Sequence, residues 1–238
     1  MSLKDKKVVI IGGSSGMGLA TAKAAVAEGA LLVIASRSAE KLRAAVDEIE
    51  GEVKSYPLDV TDEEQVKRFF AEVGELDHLV TTAAGELTGP FLQLETAAVQ
   101  ALFASKFWGQ YLAAKYGASR ITVGGSITMF SGVAGQKPIP GFSSFAAVNG
   151  GINALCRALA VELAPLRVNA VSPGIVETPA YEGMPVKERR AFFDAVAAKL
   201  PVKRIGRPED VARTVMYLMQ NGYTTGAVID VDGGSRLV

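Results

Sequence analysis

Val8-Val9-Ile10-Ile11-Gly12-Gly13-Ser14-Ser15-Gly16-Met17-Gly18 is the stretch that decides the fold of this chain. A short run that is apolar at every position needs cover on both faces, as a strand inside a parallel sheet does. After the glycine-rich turn, residues 19–28 have helical composition, and Gly29 stops them. Gly12 permits the tight turn, Gly16 lets backbone approach a pyrophosphate, and Gly18 allows helix and strand to pack closely. The helix N-terminus adds free N–H groups and a positive dipole end. Three glycines alone carry little. Between an apolar strand and a helix, they read as a dinucleotide-binding turn rather than a merely structural one. Ser14, Ser15 and Met17 belong to the same set of cofactor contacts.

Working outward, the hydrophobic period keeps switching between strand and helix. Strands are expected at 31–35, 53–58, 79–82, 126–129, 168–171 and 227–231, and helices at 39–50, 62–73, 96–115, 142–163 and 208–219. Thr61 is the expected N-cap of the 62–73 helix. This alternation predicts an α/β Rossmann fold: a doubly wound parallel sheet of about seven strands, helices on both faces, and right-handed crossovers. No linker, repeat or low-complexity tract divides the chain, so residues 1–238 are read as one NAD(P)-binding domain. Residues 179–208 are less regular and follow the sixth strand at the carboxyl edge of the sheet, the expected place for a substrate lid.

Composition narrows the function classes. The 238 residues are 49% hydrophobic and 21% charged, with zero formal net charge and no Lys/Arg block, which argues against a nucleic-acid or anionic-membrane partner. No apolar run is read as membrane-spanning, and the N-terminus lacks the separate apolar segment of a signal peptide. One cysteine, Cys156, excludes an intrachain disulfide, fits a reducing cytoplasm, and reads as a small core hydrophobe. His78, the only histidine, falls just before the fourth strand at its amino end and reads as structural. No metal site is expected.

The end of the second strand, Ala35-Ser36-Arg37-Ser38, chooses between two dinucleotides. A site that requires a free ribose 2′-hydroxyl places Asp or Glu there. Arg37 can instead pair with a 2′-phosphate, with Ser36 or Ser38 adding a hydrogen bond, and this favours NADP(H). Asp59-Val60, ending the third strand, is positioned to offer a carboxylate to the adenine amino group.

With these segments in place, the chain resembles a short-chain dehydrogenase/reductase over essentially its whole length. Arg167-Val168-Asn169-Ala170-Val171-Ser172-Pro173-Gly174, with Val176 and Thr178, matches the family's RVNxxxPGxVxT segment. Gly206-Arg207-Pro208-Glu209-Asp210-Val211-Ala212 and the stretch from Thr225-Gly226 to Asp232-Gly233-Gly234 match its C-terminal segments. The resemblance implies that Pro173 and Gly174 shape the nicotinamide pocket, that Thr178 holds the carboxamide, and that Val176 and Ala83, Ala84 and Gly85 line the cofactor. It also implies a homodimer or homotetramer.

The match fails at the reacting centre. The family's catalytic set is Asn, Ser, Tyr and Lys. Ser131 falls at the serine, fourteen positions before Phe145, which takes the tyrosine's place; Asn149 takes the lysine's. Lys106, in Ser105-Lys106-Phe107-Trp108-Gly109, stands where the asparagine belongs, so the Asn and Lys identities read as exchanged between two helices. Ile11 replaces a threonine, and Thr82-Ala83-Ala84-Gly85 stands where NNAG is usual. Phenylalanine supplies neither a proton nor an oxyanion hydrogen bond; Ser131 is expected to polarise the substrate through one hydrogen bond but is a poor acid. Lys106, as a partly buried ammonium, is the candidate replacement, set against a solvated or salt-bridged helix lysine. Trp108, Phe103 and Phe107 read as core or subunit-interface anchors, and Phe142, Phe145 and Tyr181 as walls of an apolar pocket. The expectation is an NADP(H)-dependent oxidoreductase moving hydride to or from a small carbonyl or alcohol, an imine or an activated alkene by a nonstandard proton route. Its rival is a catalytically silent NADPH-binding sensor or scaffold.

Overall fold

The computed structural model describes residues 2–82, 85 and 87–238. Seven strands form one sheet: β1 (Lys7–Ile11), β2 (Leu31–Ser36), β3 (Val53–Pro57), β4 (Leu76–Thr81), β5 (Ile121–Phe130), β6 (Arg167–Pro173) and β7 (Val228–Val231). Their order is β3-β2-β1-β4-β5-β6-β7, and every neighbouring pair is parallel. The winding direction reverses between β1 and β4. Above their carboxyl ends the crossovers leave in opposite directions and open the crevice where such sheets take ligands.

Strand β1 shows why its run is apolar throughout. Val9 and Ile11 join one core layer with Phe69 and Phe70 of α3 (Glu63–Val73), Leu112 of α5 (Gly109–Gly117), and Ile152 and Cys156 of α6 (Ser143–Glu162). Val8 and Ile10 face the other layer, with Ala22 and Ala25 of α1 (Gly16–Ala27), Leu42 of α2 (Ala39–Glu48), and Val215 and Met219 of α8 (Pro208–Gln220). Alternate side chains serve opposite faces, and both faces are covered. Cys156 is buried in the first layer, where burial pushes its thiol up to about 12.

Several local expectations change. The N-cap of α3 is Asp62, whose carboxylate accepts from the Gln65 backbone N–H at 3.0 Å; Thr61, one residue earlier, donates to Asp59 instead. His78 lies inside β4, not before it, with Nδ1 2.9 Å from Ser126 Oγ. Residues 179–208 contain a regular helix, α7 (Val186–Lys199). Helix α6 has the length and mean hydropathy (1.2) of a bilayer-spanning segment, contrary to the sequence reading, yet it buries Val148, Ile152 and Cys156 against the sheet. The helical path through 96–115 is continuous but not uniform. Between α4 (Thr96–Leu102) and α5 it widens into a π turn over Phe103–Trp108.

Candidate functional site

The turn after β1 is shaped by absent side chains. Gly12 and Gly16 hold positive φ angles of 89° and 52°. A Cβ on Gly18 would lie 2.2 Å from the Gly12 carbonyl oxygen. Ser15, the N-cap of α1, is extended and makes no side-chain cap bond, leaving the first N–H groups of the helix without that acceptor. Thr82 clamps the turn to β4: its N–H donates to Ile11 O at 2.7 Å and its hydroxyl to Gly12 O at 3.0 Å. From the far side, the Thr178 methyl sits 3.3 Å from where a Gly16 Cβ would be. A cradle of backbone donors whose tightest points, Gly12, Gly16 and Gly18, suit glycine fits a pyrophosphate.

At the end of β2, Arg37 is exposed and makes no hydrogen bond or ion pair with the described residues. Ser38 is committed elsewhere, since its hydroxyl caps α2 by accepting from Lys41 N at 3.2 Å. Ser36 is half-buried, with its hydroxyl 3.5 Å from Ser38 O. Asp59 Oδ1 accepts from both the backbone N–H and the hydroxyl of Thr61, and Val60 is buried with Cγ2 2.6 Å from the Cβ position of Gly109. Both are thus held by their own surroundings. Ala83 and Ala84 lie outside the described residues; Gly85 approaches Ser105, with 3.3 Å between the Ser105 hydroxyl and a Cβ placed there. Pro173 ends β6, and Gly174 passes Asp232 so closely that a Cβ would come within 2.8 Å of its Cα.

The reaction end lies at the carboxyl tips of β5 and β6, beside the π turn and α6. Ser131, Lys106, Phe145 and Asn149 come together here. Lys106 is 8% exposed, neither solvated nor salt-bridged within the described residues. Its Nζ donates to Ser131 O at 3.2 Å and stands 5.2 Å from the centroid of the Phe145 ring. Burial without a counter-charge lowers its pKa to about 8. The aromatic face returns part of the lost hydration. The Ser131 hydroxyl donates to the Asn149 backbone carbonyl at 3.3 Å, while Asn149 Oδ1, buried, has no partner. The Asn149 side chain also fills the space a Cβ would need at Gly132, 2.9 Å from Nδ2, and at Gly135, 2.7 Å from Cβ.

Phe142 and Phe145 lie 6.0 Å apart, and Tyr181 packs on Phe192 and Phe193 of α7 at 5.8 and 5.2 Å. Trp108 is 51% exposed and stacks edge-on with Phe107 and Tyr111, so it is no core residue. The segment expected to be a lid is pinched at its base: Val176 bridges Gly206, with Glu177 N donating to Gly206 O at 2.9 Å and Gly206 N to Ile175 O at 3.0 Å. Two residues that the sequence did not single out belong to this region: Gln110 and the buried Ser144, whose hydroxyl is unpartnered. For Gln110 a signal existed, since it stands one helical turn beyond Lys106. Chemically, the site offers one buried cation with donors to spare, one spare amide oxygen and an aromatic wall.

A family model described as Enoyl-(Acyl carrier protein) reductase matches residues 12–236. "Short-chain dehydrogenase/reductase ATR9" of Stachybotrys chlorohalonatus is 34% identical, over 99% of this chain and 99% of the relative. "3-oxoacyl-[acyl-carrier-protein] reductase FabG" of Thermotoga maritima is 33% identical, over 98% and 99%. Among solved structures, a small-chain dehydrogenase in complex with NADPH is 36% identical, covers 99% of this chain and 100% of its own, and superposes with a TM-score of 0.85.

Proposed function

The chain belongs to the short-chain dehydrogenase/reductase family, an oxidoreductase by its relatives, and on that premise we propose an NADP(H)-dependent enzyme whose buried lysine replaces the missing tyrosine. A bound reduced nicotinamide supplies the hydride. The glycine turn and the α1 N-terminus hold its pyrophosphate, and Arg37, unpaired among the described residues, takes the 2′-phosphate. That an NADPH-bound structure lies among the similar folds supports this choice.

The carrying observation is Lys106: buried, uncompensated by a carboxylate, and anchored to the Ser131 carbonyl over the face of Phe145. A cation held this way stabilises negative charge developing on a substrate oxygen, and at a pKa of about 8 it can surrender its proton near neutral pH. It also disfavours a substrate that is already cationic, so a ketone or an enone suits the site better than an iminium ion. Phe142 and Phe145 give the substrate an apolar wall, and the lid helix α7 shields it from water.

The test is a panel of ketones, imines and enones with NADPH, following nicotinamide absorbance. Lys106→Met is expected to lower kcat by roughly 10²–10⁴-fold with NADPH affinity unchanged. Turnover should fall as pH rises through about 8, because the depressed folded-state pKa empties the proton-donating form there, and this limb should vanish in Lys106→Met. Tight NADPH binding with no turnover on any class would support the sensor instead. Turnover that survives Lys106→Met unchanged would defeat the lysine mechanism.

A further inference from the structure

We propose that Gln110 is a positioning residue for Lys106, locked in its working orientation by Thr81; this rests on the reading of Lys106 given above. Gln110 is 2% exposed and its amide is fully engaged. Oε1 accepts from the Phe130 backbone N–H and from the Thr81 hydroxyl, each at 2.8 Å. Nε2 donates to Phe130 O at 2.9 Å and to Lys106 O at 3.0 Å. Two carbonyls need the nitrogen and one N–H needs the oxygen, so the amide cannot flip without losing bonds.

These contacts close a ring. Gln110 grips the main chain of Lys106 on one side and Phe130 on the other. The residue after Phe130 is Ser131, whose carbonyl receives the Lys106 ammonium. Root and tip of the lysine are thus both referred to one amide. Gln110 also accounts for the π turn, in which Gly109 N–H reaches back five residues to Ala104 O. The widened coil needs an anchor, and the Gln110 side chain returns to the Lys106 carbonyl four residues earlier. Thr81, at the tip of β4, makes the anchor rigid with respect to the sheet. In so dry a setting these bonds fix the lysine's depth below the surface, and depth is the sole cause of its lowered pKa.

A brace that served only stability would leave the lysine's titration alone. The experiment therefore reads Lys106 directly, by carbon NMR of protein labelled with carbon-13 at lysine Cε, assigned through the signal lost in Lys106→Met. The expected midpoint is about 8 in the native chain. In Gln110→Met, close in volume but without the amide, it should rise by about one unit or more as the ammonium regains water, and the falling limb of the activity profile should move up with it. A folded Gln110→Met with the native midpoint overturns the inference. Where Gln110→Met fails to fold, Thr81→Val replaces it, with a smaller upward shift expected and an unchanged midpoint again overturning. The two readings fail separately. A shifted Lys106 with turnover indifferent to Lys106→Met sinks the catalytic lysine and keeps the brace, whereas Lys106-dependent turnover with an unmoved midpoint does the reverse.

Discussion

In the turn after β1 the decisive atoms are backbone, whereas at the tips of β5 and β6 they are side chains. The glycine turn works through positive φ angles, N–H groups and a gap at Gly18 too small for a methyl. The tips of β5 and β6 gather Lys106, Phe145, Asn149 and Gln110, with Lys106 and Gln110 bonded through their side chains to carbonyls and Lys106 standing over the Phe145 ring. Backbone-built sites tolerate almost no substitution, because adding atoms closes them. Side-chain-built sites can be rewritten, provided the neighbours are rewritten too. In this chain the first region keeps the family's pattern and the second departs from it. Around Lys106 stand the Gln110 amide, bonded to its carbonyl, and behind that amide the Thr81 hydroxyl.

The largest effect that could break this contrast is Gly18→Ala. With the Gly12 carbonyl 2.2 Å from the added methyl, strand and helix must part, and NADPH affinity should drop roughly 100-fold or the fold should fail. Fluorescence titration of NADPH measures it, and near-native binding would show that the turn is less backbone-determined than its geometry states. Next in size is Arg37→Glu, a side-chain change placed inside the cofactor half. It should weaken NADPH about 10- to 100-fold and leave NADH untouched or improved; unchanged preference between the two dinucleotides would remove Arg37 from the site.

The smallest effect on NADPH binding belongs to a third region, the amino end of the sheet, which serves as a control. Burial and the nearby Arg167 hold His78 neutral, its pKa lowered to about 4. As pH falls from about 6.5 towards 4, the unfolded chain takes up a proton that the folded one refuses, so stability declines over that window. His78→Gln should flatten that decline by ~3 kcal/mol in urea unfolding at stepped pH, with NADPH binding unaltered at pH 7. An acid limb of the same steepness in the variant would assign the loss to other groups.

Those two materials were unequally legible in the sequence. The switching hydrophobic period announced all seven strands, most plainly the apolar runs of β1 and β2, since a strand covered twice has no polar face to confuse the pattern. Helix α7 was missed because Val186-Lys187-Glu188-Arg189-Arg190 shows no apolar stripe and only Phe193 is buried. The cap of α3 was misplaced by one residue between adjacent Thr61 and Asp62, both good caps. The placement of Lys106 and Asn149 at the family's Asn and Lys positions could be read from flanking motifs. Its physical consequence could not, because a lysine in sequence is a solvated lysine until the fold removes the water. Gln110 offered only its spacing, one helical turn beyond Lys106: a buried amide is recognised by its four partner atoms, which come from three separate elements.

The pinch where Val176 bridges Gly206 has a consequence for how such a molecule can diversify. Two chain ends already fastened together do not register how much polypeptide lies between them. Doubling an intervening loop costs only about 0.6 kcal/mol in closure entropy, and none of that strain reaches the sheet. The stretch between Val176 and Gly206, residues 177–205, is therefore a cassette. It can be lengthened, shortened or exchanged for another without renegotiating the seven-stranded frame or the dinucleotide cradle beneath it.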